Sequence, residues 1–336
     1  MVLASSPSVA ERIGDARNAL IIKQIVFLAL AGAIVTAVSL LSPRDVKRLA
    51  ILGCTIALML TAATLVVGVE IKGARRWIAL PGIALQPSEF LKPCFAVVTA
   101  WLIAEGRRLR LPGTLAAGTI FALIVLVLKA QPDIGMTAVI TAVFFAQLFI
   151  DGLNLFFVAV GVAAICAGAV GAYVVFPHVQ LRVHEFLHPV GSNTYQVMTA
   201  LEAFGNGGLF GRGPGEGRVK DILPDAHADF VFAVAGEEFG MLVCLVIVGI
   251  FAFIVLRGLL RLLKEQDLFN LLACSGILVG FGLQAFVNMA SSLELIPTKG
   301  MTLPFVSYGG SSVLAVALGI GMLLALTRRR HHGDVL

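Results

Sequence analysis

Residues 195–240 read YQVMTALEAFGNGGLFGRGPGEGRVKDILPDAHADFVFAVAGEEFG and gather most of the polar groups of a chain that is otherwise largely apolar. The charged and titratable residues of this stretch include Glu202, Arg212, Glu216, Arg218, Lys220, Asp221, Asp225, His227 and Asp229. Its many glycines allow tight turns and close backbone approach. An apolar run then begins at Phe230 and ends at Leu256. The pattern therefore predicts Asp229 at the lip of a membrane-spanning helix, at the end of a long polar loop.

The composition is typical of a polytopic helical membrane protein. Hydrophobic residues make up 58% of the chain and charged residues 13%, whereas soluble domains are about half apolar and about a quarter charged. The apolar runs are long and apolar on every side, which favours helices over the alternating strands of a membrane barrel. The predicted fold class is all-α, with residues 1–336 in a single membrane domain.

Charge and cysteine usage narrow the functional classes. The formal net charge is +5, part of which is the usual cytoplasmic excess of Lys and Arg, while the rest could meet an anionic head group or phosphate. No basic patch with interleaved aromatic residues points to nucleic acid. The 5 cysteines fall in apolar runs without metal-ligand spacing and are interpreted as packing residues. The sequence has no phosphate-binding loop, which argues against ATP-driven transport.

About nine apolar spans are predicted. They cover residues 21–41, 47–69, 88–104, 112–130, 133–150, 153–176, 230–256, 268–291 and 303–327. The cluster Arg328, Arg329 and Arg330 predicts a cytoplasmic C-terminus. Counting back from it places residues 177–229 outside as a large extracytoplasmic loop, which is too long to be a mere connector.

A second polar stretch precedes and enters the third span. Arg75 lies in the preceding loop, and Glu89 and Lys92 lie at the start of the span. Glu89 and Lys92 are three residues apart, so they share a helix face and can form an ion pair. Ionisable residues in a span usually face the bundle interior or a wet cavity. They are therefore either a structural pair or part of a cavity wall. Further along, Asp133 is expected to cap the helix that follows it, or else to order the outer loops or bind a cation.

The third polar stretch, residues 288–312, reads NMASSLELIPTKGMTLPFVSYGGSS. Pro297, Gly300 and Pro304 argue against a continuous helix through it. Lys299 is then expected in a tight outer loop, where it could bind an anion. For Asp229, position and charge alone leave two interpretations open, a helix N-cap or a catalytic carboxylate.

Together these stretches resemble the SEDS family (shape, elongation, division and sporulation) of bacterial cell-wall proteins. The resemblance rests on GARRWIAL and QPSEFLKP within residues 73–93, QPDIG at 131–135, DAHADFVFAVAGEEFG at 225–240 and LIPTKGMTLPFVSYGGSS at 295–312. These segments occur in the family's order, and the resemblance covers nearly the whole chain. At residues 297–300 the sequence is more similar to the cell-division branch than to the elongation branch.

The resemblance implies a peptidoglycan glycosyltransferase that polymerises lipid II, a disaccharide-pentapeptide on undecaprenyl diphosphate, during septal wall synthesis. The family's acidic motif residue falls on Asp229, which becomes the candidate general base, with undecaprenyl diphosphate as the leaving group. A Mg²⁺ or Mn²⁺ ion is expected, although no ligands can be assigned. The candidate diphosphate-binding residues are Arg75, Arg212, Lys220 and Lys299, and the candidate cavity-lining residues are Glu89 and Lys92.

The resemblance also implies a location and partners. It predicts a multi-pass protein of the bacterial cytoplasmic (inner) membrane at the division septum. It also predicts a class B penicillin-binding protein as the crosslinking partner, with other divisome membrane proteins nearby. The family fold has ten transmembrane helices, and the first of them should precede VLASSPSVAERIG, which starts at residue 2. This chain is therefore expected to lack that helix.

Two other functions stay open on the sequence. One is a lipid II flippase, which the same intramembrane charges and the interrupted helix near Pro297 would suit. The other is a divisome scaffold without chemistry of its own. Asp229 discriminates among the three functions, because a base is essential to the enzyme, optional to the flippase and irrelevant to the scaffold.

Overall fold

A computed structural model describes residues 19–71, 74–80, 83–175, 180, 184, 192–223, 226–296 and 300–328. The helices in these ranges are α1 (Ala19–Ser39), α2 (Pro43–Val67), α3 (Ser88–Leu109), α4 (Gly113–Ala130), α5 (Ile134–Ile150), α6 (Leu155–Val175), α7 (Ser192–Gly207), α8 (Val231–Leu262), α9 (Leu268–Ser292) and α10 (Gly310–Thr327). Strands β1 (Val69–Ile71), β2 (Ala74–Leu80) and β3 (Ile83–Leu85) lie between α2 and α3, and a 3-10 turn spans Val219–Asp221.

Each of the predicted spans falls on one of these helices, which confirms the all-α membrane fold. Among the described residues, α1, α2, α4, α8, α9 and α10 are long and apolar enough to cross a membrane, and α5 is a shorter apolar helix. The last span begins at Gly310 rather than at residue 303. Residues 303–307 instead close a turn, in which the Ser307 amide bonds to the Leu303 carbonyl at 3.0 Å.

Local sequence explains where several helices begin. Ser42 accepts a hydrogen bond from the Asp45 amide and Pro43 occupies the first turn, so α2 begins there. Asp133 accepts a hydrogen bond from the Met136 amide at 3.1 Å. The predicted helix cap at Asp133 is therefore confirmed.

The loop before α3 contains a small sheet that the apolar pattern did not predict. Its three strands are antiparallel in the order β1-β2-β3. Val69 pairs with Trp77, and Ile78 pairs with Leu85. β-branched and aromatic side chains favour such pairing, but the strands are too short to stand out beside long apolar helices.

Packing divides the chain into two units, which are described separately. The α3 unit comprises Ile25–Asp151, Val255–Phe281 and Gly310–Leu336, and the Asp229 unit comprises Met1–Gln24, Gly152–Ile254 and Gly282–Gly309. The single domain that the sequence suggested over residues 1–336 stays a prediction.

In the α3 unit, α3 itself forms the core. Most of its side chains between Ser88 and Ile103 are buried. Gln147 of α5 is fully buried and accepts a hydrogen bond from Thr99 at 2.6 Å, while its amide nitrogen donates to the carbonyls of Ala96 at 2.6 Å and Leu272 at 3.1 Å. One amide therefore joins α3, α5 and α9, as polar side chains do between membrane helices.

The outer faces of the long helices are apolar. Leu52 and Met59 on α2, and Leu245 on α8, are each 60% exposed, and Val246 is 59% exposed. So many exposed apolar side chains are unfavourable in water but suit a lipid environment. Together with the spans, they identify a multi-pass membrane protein.

Candidate active site

Asp229 lies in the turn that leads into α8. Residues 226–230 form this turn, and α8 begins at Val231. The Val234 amide donates to the Phe230 carbonyl at 3.2 Å, so Phe230 provides the first acceptor of the helical hydrogen bonds. Asp229 is partly buried and lies one residue before that position. Its carboxylate is thus partly shielded from solvent, near the positive end of a helix dipole.

The 300–308 segment holds this turn in place. The Ser307 hydroxyl donates a hydrogen bond to the Ala228 carbonyl at 2.6 Å. A Cβ placed on Gly300 would lie 3.0 Å from the Asp229 Oδ2 atom. Gly300 therefore allows the backbone to approach the carboxylate more closely than another residue would.

Two amide side chains of α9 bond to this segment, and one of them also bonds to the turn. The Asn288 Nδ2 atom donates to the Asp229 carbonyl at 2.9 Å and to the Met301 carbonyl at 2.6 Å. Gln284 Nε2 donates to the Thr302 carbonyl at 2.9 Å. Asn288 is fully buried, so its two bonds form away from water, where losing one costs most.

The helix that follows Asp229 is broken at Gly240, where φ is 80° and ψ is 176°. The break separates residues 231–239, which we call the half-helix, from the rest of α8. Past the break, the amides of Met241 and Leu242 bond to the carbonyls of Gly208 and Leu209, at 2.9 Å and 3.3 Å. A loop from elsewhere in the chain thus supplies acceptors that the interrupted helix does not.

The same loop, residues 208–213, also donates hydrogen bonds to the carbonyls at the end of the half-helix. The amides of Arg212 and Gly213 donate to the carbonyls of Glu237 and Glu238, at 2.9 Å and 3.0 Å. A Cβ on Gly211 would lie 2.3 Å from the Glu238 carbonyl oxygen. Gly211 is therefore needed for the close approach of this loop to α8.

The side chains of Glu237 and Glu238 are also enclosed, with 0% and 1% exposure. Glu237 accepts the amides of Arg218 and Val219 at 3.1 Å and 2.9 Å. Lys220 Nζ lies 2.8 Å from Glu238 Oε1. The half-helix is thus bonded to the preceding loop through both its backbone and its carboxylates.

This arrangement shows where two of the predicted diphosphate ligands lie. The Lys220 side chain is 8% exposed and is paired with Glu238. The Arg212 side chain is 36% exposed, with Nη1 3.5 Å from Glu237 and Nη2 2.9 Å from Asn206 Oδ1. Diphosphate binding by either residue stays a prediction.

The α3 unit holds three more of the predicted residues. Arg75 is 51% exposed and lies 3.4 Å from Glu70 on the neighbouring strand. Glu89 and Lys92 form a buried ion pair at 2.7 Å. The pairing that their spacing suggested is confirmed, while their role as cavity-lining residues stays a prediction.

Sequence reasoning overlooked several residues that shape these surroundings. Arg76 donates to the Pro132 carbonyl at 2.7 Å and lies 3.6 Å from Asp133, and so ties β2 to the start of α5. Asn288 and the acidic pair at 237–238 were also not singled out. For the acidic pair a signal existed, since two carboxylates inside an apolar run are costly unless they are paired.

Lys299 lies outside the described residues. Among the residues that are described, no group of three or more His, Cys, Asp or Glu side chains could hold a metal ion. The expected divalent cation therefore has no set of protein ligands in the described part of the chain.

A family model described as "Cell cycle protein", which covers FtsW, RodA and SpoVE, matches residues 1–332. The chain belongs to the SEDS family. The family resemblance that the motifs suggested is therefore confirmed.

Curated SEDS relatives point to the division branch. A probable peptidoglycan glycosyltransferase FtsW of Caulobacter vibrioides is 42% identical over 330 residues, which cover 97% of this chain and 84% of the relative. A protein of the same description from Trichlorobacter lovleyi is 37% identical, covering 96% and 87% of the two chains.

Solved SEDS structures agree with the fold. A chain from a peptidoglycan synthase complex, described by its coordination of polymerization and crosslinking, matches with a TM-score of 0.80 at 28% identity, over 97% of this chain and 94% of that one. The rod shape determining protein RodA of Thermus thermophilus matches with a TM-score of 0.68 at 27% identity, over 97% and 92%.

Proposed function

We propose that this protein is a peptidoglycan glycosyltransferase that polymerises lipid II during septal cell-wall synthesis, with Asp229 as its general base. The observation that carries the proposal is the placement of Asp229. Its carboxylate is partly buried before a half-helix, and its backbone is tied to the 300–308 segment through Asn288. A base needs such fixed geometry and partial shielding from water.

The proposed reaction is a single displacement at the anomeric carbon of the donor. Asp229 takes the proton of the acceptor sugar's 4-hydroxyl, and that oxygen forms the new bond to the anomeric carbon. The bond from this carbon to the diphosphate oxygen breaks, and its electron pair leaves with undecaprenyl diphosphate. The reaction thus needs one base and inverts the configuration at the anomeric carbon. Inverting glycosidases also use a carboxylate base.

The leaving diphosphate gains negative charge and needs cations placed beforehand. Of the predicted ligands in the Asp229 unit, Arg212 is the better candidate, because its guanidinium group remains partly accessible, whereas Lys220 is almost fully enclosed. Diphosphate binding by Arg75 of the α3 unit stays a prediction. Arginine also suits phosphate oxygens through its planar set of donors. A Mg²⁺ or Mn²⁺ ion carried by the diphosphate itself remains part of the proposal, since Mg²⁺ often binds mainly through substrate phosphates. Neither the proton transfer nor the displacement is routed through this ion.

The buried pair Glu89–Lys92 favours a second candidate function, a lipid II flippase. Charges inside a span mark substrate pathways in transporters, and this pair lies in the core helix of its unit. The same pair also suits a purely structural role, so it supports translocation less strongly than Asp229 supports chemistry.

The proposal includes a partner and a location. A protein that only polymerises glycan needs a second activity to crosslink it, and we propose a class B penicillin-binding protein for that role. The 0.80 TM-score to a chain of a peptidoglycan synthase complex supports such an assembly. The proposed location is the division septum of the bacterial inner membrane.

The test is polymerisation by the full-length protein co-purified with that penicillin-binding protein. Labelled lipid II and a divalent cation are added, and the products are separated as glycan ladders. Ladders are expected. No ladders from a folded, partner-bound protein, together with movement of labelled lipid II across liposomes, would replace the proposal with the flippase. The absence of both polymerisation and translocation would favour the scaffold.

A further inference from the structure

We propose that Lys220 and Glu238 are positioning residues, which fix the orientation of Asp229 through the half-helix. This inference rests on the proposed function and deepens it. It gives Lys220 a task other than contact with substrate, although its charge and its place in the loop suggested diphosphate binding.

The half-helix connects the Lys220–Glu238 pair to the turn that carries Asp229. It begins at Val231, two residues after Asp229, and it ends at the break at Gly240, two residues after Glu238. At 1.5 Å per residue its length is about 13 Å. A tilt of its far end therefore moves the turn that carries Asp229, because a single helical segment transmits rotation along its axis.

The start of the half-helix is anchored by apolar packing. Phe230 and Val234 belong to a buried cluster that also contains Leu223 and Val219. Val219 and Lys220 lie in the same 3-10 turn, so this turn contacts the start of the half-helix through an apolar side chain and its end through the Lys220 ammonium. The two contacts together set the tilt.

Backbone bonds from the 208–213 loop also reach the far end, but the Glu238 side chain itself has few hydrogen bonds. Lys220 Nζ donates to Glu238 Oε1 at 2.8 Å and to the Gly215 carbonyl at 2.6 Å. The other carboxylate oxygen, Oε2, is buried and has no hydrogen-bond partner among the described residues. A buried ion pair is often no more stabilising than an apolar pair of the same volume, but removing one partner leaves a costly unpaired charge. The position of the Glu238 side chain therefore depends on Lys220, while the Gly213 amide holds its backbone carbonyl.

The experiment compares four variants: Lys220→Gln, Glu238→Gln, the two combined, and Glu216→Gln as the control. Glu216 lies exposed in the same loop, so its change removes a similar charge without a buried partner. The kcat and KM for lipid II polymerisation are measured for each folded variant. Each single change at the pair is expected to lower kcat by on the order of 10- to 100-fold, as small displacements of catalytic groups do. KM should stay within about twofold, because the residues do not touch the substrate.

The double variant separates the two roles of Lys220. If Lys220 positions Glu238, the neutral Gln–Gln pair leaves no unpaired charge, and kcat should exceed that of either single variant and recover to within about threefold of the parent. If Lys220 binds diphosphate, the double variant stays as inactive as Lys220→Gln and its KM rises. That outcome overturns the inference, as does parent-like activity of both single variants. Should the single variants fail to fold, the recovery of the double variant still decides the question.

Hydrogen exchange tests the inference without relying on catalysis. In Glu238→Gln the amides of residues 231–239 are expected to exchange faster than in the parent, while Glu216→Gln leaves them unchanged. Unchanged exchange in Glu238→Gln overturns the inference even if activity falls. If the parent makes no glycan, the proposed function fails, and the exchange result alone still shows whether the pair holds the half-helix.

Discussion

The Asn288→Leu substitution tests how strongly the Asp229 turn is held. Leucine has the same number and branching of side-chain heavy atoms as asparagine, although its methyl groups are bulkier, so the change removes hydrogen bonds without opening a cavity. Two bonds are lost, at 2.9 Å to the Asp229 carbonyl and at 2.6 Å to the Met301 carbonyl. The side chain is fully buried, so water does not readily replace its donor.

The magnitude follows from these two bonds. A net contribution of about 1 kcal/mol for each, together with the cost of leaving buried carbonyls without a donor, gives a loss of about 2–4 kcal/mol. If all of this free energy served to position Asp229, the rate would fall by about 30- to 1,000-fold, since about 1.4 kcal/mol corresponds to a factor of ten. This is an upper bound, because part of the energy stabilises the fold alone.

The assay pairs thermal unfolding of the detergent-solubilised protein with single-turnover polymerisation of lipid II. Asn154→Ala is the matched control, because Asn154 also forms a side-chain hydrogen bond, to the Phe156 amide, but lies exposed in the link before α6. We expect a lower Tm and a slower reaction for Asn288→Leu, and little change in rate for the control. A parent-like rate in Asn288→Leu would refute the reasoning that this tether positions the base.

Three further outcomes are expected. Gly300→Ala places a methyl 3.0 Å from Asp229 Oδ2, and by displacing the carboxylate it should slow polymerisation by about tenfold or more with little change in Tm; an unchanged rate would contradict this. Gly240→Ala forces a side chain onto φ 80° and should lower the Tm, whereas Gly249→Ala, with open space around it, should not. Glu89→Gln leaves Lys92 buried without its carboxylate and should destabilise by about 3–5 kcal/mol. Neutralising both residues should cost much less, and equal losses in a denaturation series would count against an ion pair.

The features predicted correctly from sequence are those set by local physics. The spans follow from the length of apolar runs, because a bilayer requires about 20 apolar residues in a helix. The cap at Asp133 and the pair of Glu89 with Lys92 follow from spacing of three residues along a helix. Each of these involves neighbours in the chain, so no knowledge of the tertiary fold is needed.

The surroundings of Asp229 could not be predicted in the same way. The contacts of Asn288 and Ser307 join segments that are 59 and 79 residues away in sequence. Only the folded chain brings such segments together. The break at Gly240 was likewise hidden, because a glycine inside an apolar run is compatible with an unbroken membrane helix. What distinguishes this glycine is the loop at 208–213, which bonds to both sides of the break.

The motif resemblance identified Asp229 as the acidic residue to examine, and the structure adds what surrounds it. A carboxylate in these surroundings acts either as a base that takes a proton or as a ligand that only binds the substrate. The two roles differ in one respect, since loss of a base slows the chemical step while loss of a ligand weakens binding.

The most direct test of the central claim therefore measures both quantities on one preparation of Asp229→Asn, with Asp221→Asn as the control for an exposed carboxylate in the same loop. If Asp229 is the general base, Asp229→Asn should bind lipid II within about threefold of the parent, while its polymerisation rate falls by about 100- to 10,000-fold. Asp221→Asn should match the parent in both. Polymerisation by Asp229→Asn at the parent rate, or a loss of binding as large as the loss of rate, would contradict the claim.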